Sequence, residues 1–361
     1  MILRISSFSR AASMALFVSA AALASSTSSS AAAPCMIVTL TGTKGGPAAV
    51  NGVAGVGTLV RYGEDANGCG AVRLQFDAGR ATSVRLSQIP VSVGEIDAIF
   101  FTHMHSDHTD GFADMMQLRW HYESARPKLD VVCAADAKSP FGHVLSCRKF
   151  AENIGAVFLQ SGEIAQRHAE RKSTPQGGPA ELINVMNFDP VDEPKVVWSS
   201  GDVKVSAIKS AHVPGHVSYR VDTPAGSVVI SGDASNDKPA PPRAHSTSDQ
   251  VELLARNADI LVHASTHPNM GPEKGGGMPA PIFYRQSTVT DVGAMAQRAG
   301  VKIYMLTHLT PSLGEVDRID KWKIPGAPLS EADFRKAAED GGFTGTIVVG
   351  SDLASVRLPA K

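Results

Sequence analysis

Thr102-His103-Met104-His105-Ser106-Asp107-His108-Thr109-Asp110-Gly111 carries a His-x-His-x-Asp-His array, with a further aspartate two residues on. Imidazole nitrogens mixed with one carboxylate form a ligand set that suits zinc, with iron and manganese also within its chemistry. His103 and His105, two apart at the end of a strand, project the same way and can grip one ion. Asp107 and His108 are offset by the following turn and can reach a second ion close by. Upstream, the apolar run Ile96-Asp97-Ala98-Ile99-Phe100-Phe101 predicts a buried strand. Downstream, Asp110 is placed to cap a helix that opens at Gly111 and carries Phe112, Met115, Met116 and Leu118. The array therefore falls on a strand-to-helix loop, where backbone turns can aim several side chains at one point.

Other strands must bring up the rest of a site. Met36–Leu40 predicts a strand ending in the turn-rich Thr41-Gly42-Thr43-Lys44-Gly45-Gly46-Pro47. Thr58–Tyr62 and Val72–Phe76 read as a hairpin around Glu64–Gly68. Asp77, in the turn that follows, is read either as an acceptor for a ligand histidine or as a turn cap. Helices are expected over Gly111–Glu123, Gly142–Gly155 and Thr290–Ala299, and strands over Leu129–Cys133 and Ala156–Leu159. From Ala169 to Ser200 the chain is polar and broken by Pro175, Pro179, Pro190 and Pro194, which reads as an irregular insertion. In the second half, three expected strands run into chemistry: Val203–Ile208 before His212, Ser227–Asp233, and Val301–His308. A fourth, Ala258–His263, also ends on a histidine. The Gly/Pro/Met-rich run His267–Pro281 is a candidate lid or pocket wall, or a plain surface loop.

A chain of 361 residues with 43% hydrophobic residues can bury a large core. Its formal charge of -1 offers no general attraction to nucleic acid or acidic lipid. No apolar stretch outside the extreme N-terminus is long enough to span a membrane. That terminus reads as a leader: Arg4 and Arg10 make a basic region, Ala11–Ala24 an apolar one, and Ala22-Leu23-Ala24 a small-x-small cleavage site. The expected organisation is a signal peptide over 1–24, a Ser/Ala linker over 25–34 and a single domain over 35–361 with the insertion near 169–200. Losing Arg4 and Arg10, with no acidic residue beside them, takes the charge from -1 to -3. The mature protein is expected to be periplasmic or secreted. Cys35, Cys69, Cys133 and Cys147 then allow three pairings, of which Cys133 with Cys147 is the easiest to form across one short loop.

The succession Thr41-Gly42-Thr43…Gly45-Gly46-Pro47, Phe76-Asp77-Ala78-Gly79-Arg80 and Ile96 through the His-x-His-x-Asp-His array to Gly111 resembles the metallo-β-lactamase superfamily. It is most similar to the branch of ribonuclease Z, type III arylsulfatases and related phosphodiesterases. The similarity runs from about Val38 to His308 and is poor from Val131 to Ser200. It implies an α/β (α+β) fold, a four-layer αβ/βα sandwich with a two-metal site along one sheet edge. His212-Val213-Pro214-Gly215-His216-Val217-Ser218 matches the third ligand motif at His212, with His216 more a neighbour than a ligand. The same resemblance makes Asp233 the bridging carboxylate and Leu306-Thr307-His308 the closing ligand motif. His103, His105 and His212 would then hold one ion, Asp107, His108 and His308 the other, and Asp233 both. The implied cofactors are two divalent cations, Zn2+ first, and the implied nucleophile is a hydroxide bridging them.

Turnover is expected to depend on Asp107, Asp233 and His263, with Tyr219, Arg220 and His267 contacting substrate. Gln286-Ser287-Thr288 stands where ribonuclease Z carries His-Ser-Thr, and glutamine is no general acid. His212 and Asp233 are also too close to hold that enzyme's basic tRNA arm. The expectation is a small-molecule ester substrate, phosphodiester or sulfate, with no nucleic acid partner; homo-oligomerisation is compatible with it. The alternatives are a lactonase or β-lactamase-type hydrolase and a non-catalytic ligand-binding protein, the last of which the presence of all seven ligand positions disfavours.

Overall fold

The computed structural model describes residues 33–360 apart from 168, 173, 239 and 318–320. The expected leader and nearly all of the linker lie outside the described residues. Chain order gives β1 (Pro34–Gly42), β2 (Gly57–Glu64), β3 (Val72–Phe76), β4 (Ala98–Phe100), β5 (Leu129–Ala134), a small hairpin of β6 (Ala137–Lys138) and β7 (Val144–Leu145), and β8 (Ile183–Phe188). There follow β9 (Lys195–Ser200), β10 (Val203–Lys209), β11 (Val217–Thr223), β12 (Gly226–Ile230), β13 (Ile260–Thr266), β14 (Ile303–Thr310), β15 (Thr346–Val349) and β16 (Ser355–Leu358). Two seven-stranded sheets result, ordered β16-β1-β2-β3-β4-β5-β8 and β15-β14-β13-β12-β11-β10-β9. Each is antiparallel at one end and parallel at the other, with β3-β4-β5-β8 and β12-β13-β14-β15 parallel.

Alternation along the strands decides the layers. Leu74, Phe76, Phe100, Tyr219, Val221, Ile230 and Val262 face inward between the sheets and pack as one core. Phe76 stacks on Phe100 at 4.6 Å between ring centres, and Tyr219 meets Phe100 edge-on at 5.4 Å. The outer faces are covered by helices. On one side Phe112, Met115, Met116 and Trp120 of the helix Phe112–Tyr122 pack over Ile99, Phe101 and Val131. On the other, Val292, Met295 and Phe334 from the helices Val289–Arg298 and Glu331–Asp340 pack over Leu261, Tyr304 and Leu306. These are the four layers of a metallo-β-lactamase sandwich. Among the described residues no helix is long and apolar enough to cross a membrane.

Three local expectations are corrected. Residues 169–200 are not an irregular insertion: they supply β8 and β9, one strand to the edge of each sheet. The prolines punctuate the segment without occupying either strand, and Trp198 of β9 donates to Asp130 Oδ2 at 2.8 Å. The strand expected at Ala156–Leu159 is the last part of the helix Cys147–Ser161. Four apolar residues in a row cannot by themselves separate the two states, and Val157 stays exposed while Ala151 and Gly155 face inward. Asp110 pairs with Arg80 at 3.0 Å instead of capping, and a short turn of helix, Ser106–Thr109, carries Asp107 and His108. All four cysteines are paired, as Cys35–Cys69 and Cys133–Cys147.

Candidate metal centre

Strand ends on one side of the sandwich carry every ligand candidate. His103 to His108 follow β4, His212 follows β10, Asp233 follows β12, and His308 lies near the end of β14. Their donor atoms fall into two groups, His103, His105, His212 and Asp233 in one and Asp107, His108 and His308 in the other, with the donors of each group within 4.8 Å of one another. Asp233 lies between them: Oδ2 is 2.9 Å from His308 Nε2 and 3.6 Å from His212 Nε2, and Oδ1 is 3.2 Å from His108 Nε2. Asp107 Oδ2 is 3.3 Å from His308 Nε2 and accepts a hydrogen bond from Gly46 N at 2.7 Å.

Outer hydrogen bonds fix which ring nitrogen faces inward. Asp77 accepts from His108 Nδ1 at 2.7 Å, from Thr102 N at 2.8 Å and from Thr102 Oγ1 at 2.8 Å. Since the Thr102 hydroxyl gives its proton to Asp77, its oxygen accepts from His103 Nδ1 at 3.1 Å. One carboxylate thus orients two candidate ligand rings with Nε2 turned toward the donor groups. His212 is turned by its own Nδ1–H, which donates to Arg285 O at 3.1 Å. His216 is not a ligand: its Nε2 accepts the Asp233 backbone N–H at 3.1 Å, and Nδ1 meets Ser210 Oγ at 2.9 Å. Backbone geometry is equally specific. Asp77 and His308 hold φ of +54° and +49°, a region costly for residues with a side chain and concentrated at functional sites. Gly232 has φ +58°, and a Cβ there would lie 2.7 Å from Thr102 Cβ and 2.8 Å from His216 Nε2.

These residues fit divalent cations. His103 Nε2, His108 Nε2 and Asp233 Oδ1 are buried and make no hydrogen bond, which is costly unless something else meets them. Burial opposes charge on His108 and His308, yet the Asp233 and Asp107 carboxylates override it, holding His108 well above the imidazole range and pushing His308 up to about 9. Burial likewise works against Asp233 and Asp107, and the same two rings keep both carboxyls well below their usual range. Burial lowers His103 and, helped by His105, takes His212 down to about 4, so both stay neutral donors. Two carboxylates thus draw positive charge to one point, and neutral nitrogens face it.

The cluster opens into a cavity of ≈ 640 Å³ that His105, Asp107, His212, Asp233 and His308 line together with Pro47, Met278, Ile282, Arg285, Gln286 and Trp322. The substrate contacts expected from sequence are not among its lining residues. Tyr219 is fully buried between the sheets, its hydroxyl donating to Phe101 O at 2.8 Å. Arg220 is held by Asp222 at 2.9 Å and by the carbonyl of Leu254. His267 caps the turn Pro268–Met270, with its ring 5.1 Å from that of Phe334. His263 is also corrected: β13 runs three residues past it, to Thr266, so it is a fully buried mid-strand residue opposite Leu306. Its Nδ1 donates to Ala264 O at 2.7 Å, and burial depresses the ring to about 4. Arg285, Met278, Ile282 and Trp322 were missed as cavity residues; only the lid reading of His267–Pro281 touched them, through Met278.

Comparison with known proteins gives matches over most of the chain. The model of the family described as "Anti-Pycsar protein Apyc1" matches residues 68–268. The ribonuclease Z of Mycobacterium sp. (strain KMS) is 27% identical over 324 residues, covering 89% of this chain and 95% of that one. Among solved structures, the metallo-β-lactamase fold protein YhfI from Bacillus subtilis superposes with a TM-score of 0.56 at 19% identity, over 90% of this chain and 99% of that one. The short form of human tRNase Z gives a TM-score of 0.55 at 16% identity, over 90% and 100%. The ribonuclease Z match overturns the expectation of no nucleic acid partner: near-neutral net charge excludes only general attraction, and a local site can engage a polyanion regardless.

Proposed function

The chain belongs to the Anti-Pycsar protein Apyc1 family and to the ribonuclease Z-like branch of the metallo-β-lactamase superfamily, and from that premise we propose that it is an exported two-metal phosphodiesterase. The observation that carries the proposal is the pair of donor groups with Asp233 between them, with buried nitrogens that no other described residue hydrogen-bonds. Two divalent cations there would activate water for attack and neutralise charge developing on the ester oxygens. His103, His105 and His212 would hold one, Asp107, His108 and His308 the other, and Asp233 both. The chain's other residues orient: Asp77 holds the His108 and His103 rings, His216 holds the Asp233 main chain, and Gly46 holds Asp107. Arg285, at the cavity, offers a cation to a phosphate's non-bridging oxygens.

A phosphodiester is favoured over a sulfate ester or a lactone by the ribonuclease Z relatives, and the linkage can belong to RNA or to a smaller diester. Purified protein reconstituted with zinc is expected to bind about two ions per chain and to hydrolyse bis(p-nitrophenyl) phosphate faster than p-nitrophenyl sulfate, p-nitrophenyl acetate, a lactone or a cephalosporin. A short RNA belongs in the same panel. Fewer than one ion per chain would end the two-metal reading, and a preference for lactone would end the phosphodiester reading.

Export is supported by the basic and apolar pattern of residues 1–24 and by pairing of all four cysteines, which an oxidising compartment permits. The expected intact mass of the protein from its native host begins near Ser25 and is four hydrogens lighter than the reduced chain. A mass that includes Met1, or four free thiols, would refute it.

A further inference from the structure

The metal-ligand cluster occupies only part of its cavity. The rest is walled mainly by carbon: Met278, Ile282 and Trp322, with Pro47 and Ala48 from the β1–β2 connection. Met278 is 4% exposed, and Ile282 and Trp322 pack against the same outer core that holds Val289, Met295 and Phe334. The wall is therefore anchored in the protein interior, unlike a loose surface loop. Its two segments are also joined directly. Gly277 N donates to Lys323 O at 3.0 Å, and a Cβ on Gly277 would run into Lys323 N. Only glycine lets the main chain before Met278 lie flat against the main chain beside Trp322. A bare phosphate needs none of this surface, because the ligand cluster and Arg285 already meet its charge.

We propose that Met278, Ile282 and Trp322 form a specificity subsite for a planar unsaturated ring carried by the ester substrate, with the indole of Trp322 as its main contact. The proposal rests on the phosphodiesterase reading and deepens it. A ring entering such a wall removes apolar surface from water on both partners and can gain offset or edge-to-face contact with the indole. An aryl group and a nucleobase share this chemistry.

The test uses zinc-loaded protein and calorimetric binding of methyl phosphate, 1-naphthyl phosphate, a nucleoside 5′-monophosphate and uncharged 1-naphthol. At least one ring-bearing phosphate is expected to bind roughly tenfold or more tightly than methyl phosphate, with a negative heat-capacity change. Which ring gains more distinguishes the aryl from the nucleobase source. Trp322→Ala is expected to remove most of that gain while metal content and methyl phosphate affinity stay as they were. Gly277→Ala, whose Cβ would run into the Trp322–Lys323 main chain and push the wall apart while the indole is kept, should weaken ring binding in the same direction. Equal affinity for methyl and all ring-bearing phosphates, or a ring preference that survives Trp322→Ala, would overturn the subsite. If no phosphate binds although both metals do, the phosphodiesterase reading fails. Naphthol then decides the subsite alone: binding that is lost in Trp322→Ala upholds it, and no binding overturns it.

Discussion

Asp233→Ala is expected to leave about one metal ion or fewer per chain and to abolish nearly all phosphodiester hydrolysis. Asp233 reaches both donor groups, 2.9 Å from His308 Nε2 and 3.6 Å from His212 Nε2. Two divalent cations about 3.5–4 Å apart repel by roughly 17–19 kcal/mol even at an effective dielectric of about 20. A carboxylate between them offsets part of that repulsion, and alanine offsets none. The loss should well exceed the roughly 10–100-fold typical of removing an outer hydrogen-bond partner. Elemental analysis and initial rates on the same preparation check it. Asp233→Asn separates charge from shape: the amide keeps the volume and should still lose an ion. A variant with two ions and near-native turnover would show that Asp233 bridges nothing.

Asp77→Asn is expected to weaken metal binding about 10–100-fold while the fold persists. Asparagine is the informative change because residue 77 has φ +54°, which Asn tolerates and Ala does not, so Asp77→Ala would mix backbone strain with the loss of the carboxylate. The native carboxylate accepts from His108 Nδ1, Thr102 N and Thr102 Oγ1. An amide has one accepting oxygen and an N–H₂ that faces the wrong way toward at least one of those donors. Leaving one of them unsatisfied should cost about 1–3 kcal/mol of stability. More diagnostically, it loosens the His108 and His103 rings together. A chelator competition titration reads the affinity, and thermal unfolding of the metal-free protein reads the stability. Lower stability with unchanged metal affinity would reduce Asp77 to a turn cap, the second of its two sequence readings.

The sequence by itself placed the candidate ligands at strand ends, and the resemblance carried by its motifs implied the layers. Metal ligands of this kind must sit where strands stop and main chain turns, so a His-x-His-x-Asp-His run after an apolar strand is legible without coordinates. Strand-end Asp233 and His308 are legible in the same way, once the resemblance orders them. Local pattern failed where tertiary pairing outweighed it. Ala156–Leu159 has the composition of a strand but continues a helix, because Ala151 and Gly155 already seat that helix against the core. Residues 183–188 and 195–200 look like broken loop, yet each finds a free sheet edge.

Only the tertiary structure decided which side chains share the cavity. His263 has the sequence signature of a strand-end group, but where a strand stops depends on its neighbours, and pairing with β14 carries β13 three residues farther and buries the ring. Tyr219 and Arg220 follow His212 closely in sequence, yet β11 runs away from the site and takes both with it. Trp322, more than 80 residues from Asp233, returns to the same cavity because Gly277 and Lys323 join main chain to main chain. Ligands declare themselves by residue type and spacing, since a metal demands particular atoms. A substrate wall demands only shape and carbon, which almost any apolar residue supplies, so its members are identified by where the fold brings them.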